Sequence, residues 1–238
     1  MRKVIASVAL GPCEQQYDIA RMTWLPYAQL HGFEIEVLTE HDPLTTRAER
    51  KALKLGHLRR LLQQSDFVLW LDSDVLILRQ DICITGALFQ DDVHGVVLEQ
   101  YTERFNPNTG VWVWRNHPRA FELLDALESV VLPEGYLWVD QARLMSVLGW
   151  QLQPWPHGVK PVHPSPFLQH TGWLSPEWNP ISSTPEARFR HYAGMLPEQR
   201  REAMLDAVAD MVRTGMASTE GAPAALLMEI DQRIAHRR

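Results

Sequence analysis

The stretch "SDFVLWLDSDVLI", residues 65–77, decides how the chain is read. A run of large apolar residues, Phe67 to Leu71, leads straight into Asp72 and Asp74 and turns apolar again at Val75. A strand that is apolar on both faces belongs in the middle of a parallel sheet, where helices cover it from both sides. In open α/β sheets ligands bind beyond the carboxyl ends of such strands. Residues i and i+2 of an extended chain project to the same side, roughly 7 Å apart. Asp72 and Asp74 are therefore expected to converge at the rim of the sheet. Two ionised carboxylates in a poorly hydrated cleft repel each other and resist desolvation. A divalent cation removes both penalties, and hard oxygen ligands suit Mg2+ or Mn2+. A solvated Asp-Ser-Asp turn is the plain alternative, but the immediate return to "VLIL" (75–78) argues against it.

Outward from this strand the pattern alternates. "KVIASVAL" (3–10) reads as a first strand, and "EQQYDIARMTWLPYAQLH" (14–31) as a helix ended by Gly32 and kinked at Pro26. "FEIEVLT" (33–39) is a second strand, followed by the basic helix "TRAERKALKLGHLRRLLQQ" (46–64). Strand–helix–strand–helix–strand at these spacings predicts a doubly wound, mostly parallel α/β sheet. Further on, "HGVVLE" (94–99) and "GVWVWRN" (110–116) read as strands, and "NHPRAFELLDALESV" (116–130) and "VDQARLMSVLG" (139–149) as helices. The first of these helices is capped at Asn116 or His117, with Pro118 in its first turn. Residues 151–187 carry too many prolines for regular elements, and the last forty return to helix. There are no repeats and no linker, so residues 1–238 are expected to form one domain. Its parts are a nucleotide-binding half (1–100), a sugar and acceptor half (101–195) and C-terminal helices (196–238).

The totals narrow the function classes. With 45% hydrophobic and 22% charged residues the composition is that of an ordinary globular domain, and 238 residues can bury a sizeable core. A net charge of −6 gives no support to a nucleic-acid partner. Two cysteines, Cys13 and Cys83, make no disulfide framework, which points to a reducing, cytoplasmic compartment. The opening "MRKVIASVALG" is too short and too soon interrupted for a targeting segment, and no run approaches the ~20 apolar residues of a membrane span. The closing "RIAHRR" (233–238) reads by default as a solvated helix end, with a dimer contact or a membrane-surface foot left open.

A buried strand ending in Asp-x-Asp resembles the metal-binding motif of GT-A nucleotide-sugar glycosyltransferases. Further similarities follow in that group's order. "FNPNTGVWVWRN" (105–116) resembles its Asn-x-Gly strand, "VDQARL" (139–144) its Asp-Gln pair at the mouth of a helix, and "RHYAGM" (190–195) its late histidine–glycine motif. "YAQLHGFEIEVLT" (27–39) and "EWNP" (177–180) are similar to the α-galactosyl and α-xylosyltransferases of family 34, and the whole is also similar to family 8. The resemblance spans residues 3–195. It departs from family 8 where Met195-Leu196-Pro197 stands in place of that family's Lys-Pro-Trp.

The resemblance implies a GT-A fold and a retaining transfer of a hexose or pentose. The donor would be a nucleoside-diphosphate sugar, a UDP-sugar, and the acceptor a hydroxyl. It implies Asp72, Asp74 and His191 as ligands of Mn2+ or Mg2+, with His191 on a loop closing over the ion. It implies Lys54 at the diphosphate, beside Arg47, Arg50 and Lys51 on the same helix. Leu10 and Gly11, ending the first strand, would meet base and ribose, and Ser73 would face the nucleotide. Tyr17 reads equally as a base-stacking ring or as core, and Glu40 is one more nucleotide contact. Asn108 and Gly110 would shape the sugar pocket, Asp140 would hold sugar hydroxyls, and Gln141 would sit near the anomeric carbon. Of Trp112 and Trp114 one is expected in the core, while Trp155, Trp173 and Trp178 are candidates for stacking on acceptor sugars. Two rivals stand beside this reading. One is a haloacid-dehalogenase-type phosphatase with Asp72 as nucleophile and Asp91-Asp92 as its later acidic pair. The other is a non-catalytic nucleotide-sugar-binding protein.

Overall fold

The computed structural model describes residues 1–39, 47–101, 104–132, 138–150 and 165–236. Eight strands and six α-helices follow one another in these segments. They are β1 (Lys3–Val8), α1 (Pro12–His31), β2 (Phe33–Leu38), α2 (Arg47–Leu62), β3 (Phe67–Leu71), β4 (Val75–Ile77) and β5 (His94–Tyr101). Then come β6 (Arg104–Arg115), α3 (Pro118–Ser129), α4 (Val139–Leu148), β7 (Thr171–Leu174), β8 (Phe189–His191), α5 (Pro197–Arg213) and α6 (Ala224–His236). The main sheet runs β2-β1-β3-β6-β5-β7. Every strand in it points the same way except β6, which is antiparallel to both β3 and β5. The mostly parallel α/β arrangement expected from the sequence is present.

The strands alternate their apolar residues between two cores, as a pleated chain must. From β3, Leu69 and Leu71 enter one core while Val68 and Trp70 enter the other. The first core holds α1, α5 and α6 against one face of the sheet, and the second holds α2, α3 and α4 against the opposite face. Trp112 and Trp114 stand two apart on β6, so both project to the second core, and both are fully buried with ring centroids 4.6 Å apart. The expectation that just one of them is core undercounts what period-two spacing on a central strand does.

Pro26 lies inside α1, and two corrections of local structure follow it. Proline has no N–H to give to the carbonyl one turn back, Met22. That carbonyl accepts instead from the backbone N–H of Ser218 at 2.7 Å, so the vacancy ties α1 to the C-terminal segment. The proline-rich region is less irregular than its composition suggests, because β7 adds a parallel strand beside β5. His191 is not on a loop but ends β8, which pairs with β4 in a separate two-stranded sheet. At α3 the cap is His117, whose Nδ1 accepts from Arg119 N–H at 3.2 Å. Asn116 instead donates to the carbonyls of Leu62 and Ser65 beyond the end of α2, at 2.7 and 3.0 Å.

Candidate active site

The acidic pair sits where β3 runs out. Asp72 N–H donates to the Gly110 carbonyl on β6 at 2.8 Å, and its own carbonyl accepts from Val75 N–H at 3.0 Å. This tight turn passes the chain from the main sheet into β4. Its carboxylate is held from the side. Trp70 Nε1–H donates to Asp72 Oδ1 at 2.7 Å and Lys54 Nζ donates to the same oxygen at 3.2 Å. Lys54 also donates to the Thr109 carbonyl at 2.9 Å, and its ammonium lies 4.7 Å from the centre of a Trp70 ring. A buried ammonium is tolerable only with such partners, and Lys54 has an anion, a carbonyl and an aromatic face.

The third group arrives through the small sheet. The antiparallel register sets Val75 opposite His191, and Tyr192 N–H donates to the Asp74 carbonyl at 3.0 Å. His191 Nε2 thereby stands 3.2 Å from Asp74 Oδ1 and 3.9 Å from Asp72 Oδ2. One ligand atom from each of Asp72, Asp74 and His191 lies within 4.8 Å of the other two. The second oxygen of Asp74 is 3.0 Å from an Arg200 guanidinium nitrogen, and Arg200 also donates to the Met195 carbonyl at 3.1 Å. Burial by itself would push the Asp74 carboxyl up. The charge and hydrogen bond of His191, with the charge of Arg200, outweigh it and hold the group below the usual carboxylate value. Burial alone would likewise lower His191, and Asp74 followed by Asp72 raises it above the ordinary imidazole value.

The donor set fits a hard dication. Each carboxylate has one oxygen tied to a fixed cation, Lys54 or Arg200, and turns the other toward His191 Nε2. Two carboxylate oxygens and an imidazole nitrogen at this mutual distance are a donor set that could hold a metal ion.

A cleft of about 400 Å³ opens from the three groups. Of the residues singled out in the sequence, Lys54, Asp72, Asp74, Asn108, Gly110, Asp140, Gln141 and His191 line it. Gly110 has a steric reason to be glycine: a Cβ there would overlap the His191 ring. Asn108 Oδ1 accepts from Gly110 N–H at 2.8 Å and sets the local turn of β6. Asp140 and Gln141 occupy the first turn of α4, which packs beside β6.

Other expected positions lie elsewhere. Leu10 and Gly11 follow the carboxyl end of β1, on the far side of β3 from β6, and do not line this cleft. Gly11 has φ 59° as the cap of α1, and its N–H donates to Glu14 Oε1 at 3.0 Å. Ser73 Oγ donates to Gln16 Oε1 at 3.3 Å and binds the acidic turn to α1. Tyr17 packs on Trp24, centroids 5.5 Å apart, beside a separate depression lined by Arg21 and Phe33. Glu40 and Trp155 lie outside the described residues, as do the side chains of Arg47, Arg50 and Lys51. Trp178 is buried under Arg188 and against Phe189, so it has no free face for a sugar. The "EWNP" segment is structural: Asn179 donates to the Asn108 carbonyl at 3.3 Å, and the Pro180 carbonyl accepts from His191 N–H at 3.1 Å.

Sequence reasoning passed over Arg200 and Trp138, both of which line the cleft. Arg200 lies in the charged run "EQRR", which reads as a solvated helix face, and only the placement of α5 turns it onto Asp74. Trp138 stands two residues before Asp140, a proximity that could have drawn attention to it.

No protein-family model matches the chain, and no curated protein matches it by sequence. Solved structures do match by fold. One is a glycosyltransferase involved in glycosylation of the major capsid of PBCV-1, with TM-score 0.58 and 22% identity over 86% of this chain and 98% of that one. Another is the galactosyltransferase LgtC in complex with donor and acceptor sugar analogs, with TM-score 0.52 and 13% identity over 95% of this chain and 99% of that one. A third is the glycosyltransferase GlyE of Streptococcus pneumoniae TIGR4, with TM-score 0.51 and 12% identity over 94% of this chain and 66% of that one. At these identities the likeness is one of fold, and the chain has the GT-A glycosyltransferase fold. The phosphatase alternative is not favoured. Asp91 and Asp92 precede β5, which runs parallel to β3, and so lie at the opposite end of the sheet from Asp72. Among the described residues no helix is long and apolar enough to cross a membrane.

Proposed function

We propose that the chain is a metal-dependent, retaining glycosyltransferase of the cytoplasm that moves a hexose or pentose from a UDP-sugar to a hydroxyl acceptor. The observation that carries this reading is the meeting of Asp72, Asp74 and His191 at a cleft also lined by Asp140 and Gln141. When bound, Mn2+ or Mg2+ supplies Lewis-acid neutralisation of the diphosphate as it leaves. The chain itself contributes fixed positive charge through Lys54 and Arg200, whose positions are set before substrate arrives. Asp140 holds sugar hydroxyls, and Gln141 lies beside the anomeric carbon. An amide is a poor nucleophile, whereas a double-displacement enzyme places a carboxylate at that carbon. Same-face attack is the step this favours. The acceptor oxygen bonds to the anomeric carbon, the carbon–oxygen bond to the diphosphate breaks with its electron pair on phosphate, and the acceptor proton passes to a departing phosphate oxygen.

The test is a screen of UDP- and GDP-sugars for Mn2+-dependent binding and slow hydrolysis, with wild type, Asp72→Ala and Asp74→Ala. Mn2+-dependent use of a UDP-sugar by wild type alone is the expected result. Absence of nucleotide-sugar binding, or tight binding indifferent to Mn2+, defeats the reading. Unchanged nucleotide affinity in the Asp74→Ala variant with Mn2+ present would favour a non-catalytic binding protein.

A further inference from the structure

At the Asp72–Asp74–His191 cluster the carboxylates and the fixed cations are paired one to one. Lys54 Nζ donates to Asp72 Oδ1 at 3.2 Å, and an Arg200 guanidinium nitrogen stands 3.0 Å from Asp74 Oδ2. His191 Nε2 faces the other oxygen of each carboxylate. These four charged groups therefore carry no surplus of negative charge before any ion arrives. Ligand charge count is what tunes affinity for a hard dication, and here two opposing charges subtract from it. Glu99 and Asp140 line the wider cleft, and each has an interaction of its own.

The two cations are placed differently. Lys54 is buried beneath the acidic turn, with the Thr109 carbonyl and the Trp70 ring as further partners. Arg200 stands near the start of α5, lines the cleft and keeps part of its side chain exposed. Its guanidinium pairs with Asp74 and donates to the Met195 carbonyl, while its Nε is buried without a hydrogen-bond partner. Asp74 and His191 are both buried, and charges in such surroundings are felt strongly and screened little by salt. Arg200 therefore acts with opposite signs on the two species this cleft would take. It repels a bare dication at the same carboxylate, and it attracts the anion that a diphosphate brings. The backbone of Asp74 is fixed independently, because its carbonyl accepts from Tyr192 N–H.

We propose that Arg200 sets the order in which this site loads: it weakens the hold of Asp72, Asp74 and His191 on a bare dication and strengthens it for a dication that arrives with a diphosphate. This rests on the glycosyltransferase reading above. Such coupling is reciprocal, so Mn2+ and nucleotide each raise the other's affinity by the same factor. The experiment reads Mn2+ binding from the electron paramagnetic resonance of the free ion, with and without UDP, and needs no turnover. In wild type, UDP is expected to tighten Mn2+ binding about tenfold or more. Arg200→Gln keeps a hydrogen-bond donor beside Asp74 and removes the charge. It is expected to bind Mn2+ alone about threefold or more tightly than wild type, and to lose most of the gain from UDP. Arg200→Lys, which keeps the charge, is expected to stay close to wild type in both measurements. Arg200→Met gives the same reading should Arg200→Gln fail to fold by circular dichroism. Coupling of Mn2+ to UDP in wild type, with Mn2+ alone bound no more tightly by the folded uncharged variant, defeats this inference and leaves the reading beneath it standing. Loss of affinity for Mn2+ alone in that variant defeats it too, because Arg200 would then serve only to orient Asp74. No coupling between Mn2+ and UDP in wild type defeats both.

Discussion

The imidazole of His191 lies against Gly110 so closely that a methyl group on that Cα would occupy the ring's own space. The contact joins β6 of the main sheet to β8 of the small one at the point where the acidic pair turns. Gly110→Ala is therefore expected to push His191 off Asp74. Overpacking of this kind costs about 1–3 kcal/mol, and disturbing the surroundings that orient a metal-ligating side chain costs about ten- to a hundredfold in metal affinity. Titration of Mn2+ into wild type and variant, with circular dichroism as the folding control, reads both. An unchanged Mn2+ affinity in a folded variant would remove His191 from the ligand set.

Lys54 and Asp72 give a test that separates function from stability. Lys54→Met keeps the stem among Trp70 and Trp112 and removes the charge. Removing one partner of a buried ion pair is costly when the other charge is left buried and unpaired, but Asp72 is partly exposed and Trp70 still donates to it. The variant is expected to melt within a few degrees of wild type and to lose about a hundredfold in UDP-sugar turnover, the scale of one removed electrostatic group. Turnover within threefold of wild type would show that the ammonium serves the fold alone.

His94 sets a pH dependence of stability. It is fully buried, its Nδ1 accepts from Trp112 Nε1–H at 2.9 Å, and its Nε2 faces Thr171 Oγ1 at 3.0 Å. Its ring also packs on Trp114, with centroids 5.4 Å apart. Burial lowers its pKa from 6.5 to about 3. The unfolded chain then binds a proton that the folded chain does not, so stability is complete above about pH 6.5 and falls as pH drops toward 3. Each unit in that window costs about 1.4 kcal/mol from this group. Chemical denaturation across pH 4–7 is expected to show a shallower slope for His94→Gln than for wild type. Equal slopes would mean that His94 is protonated in the fold.

Gly172 tests the edge of the sheet without touching the site. It pairs with Gly95 across β5 and β7, and the Leu88 side chain lies over both. A Cβ at Gly172 would meet Asp92 Oδ2 at 2.7 Å and Leu88 Cδ2 at 2.9 Å. Gly172→Ala is expected to lower stability by about 1–3 kcal/mol and to leave Mn2+ affinity within twofold. Wild-type stability in the variant would mean that β7 is not packed this way.

What the sequence by itself determined is what short-range pattern can carry. A strand apolar on both faces, helices of regular spacing and the order of these elements predicted the sheet and put Asp72 and Asp74 at its rim. The resemblance added His191, Asp140 and Gln141 as residues of one site, and all of them line one cleft. Only the tertiary structure decided the rest. The strands β7 and β8 are short and lie among prolines, so their hydrogen bonds exist only because distant partners offer matching edges. Arg200 reaches Asp74, Ser218 caps the carbonyl released by Pro26, and Trp138 stays exposed while Trp178 is buried. Local periodicity says which way a side chain leaves its own backbone; what stands in front of it is set by segments far along the chain, and that is known only once they have packed.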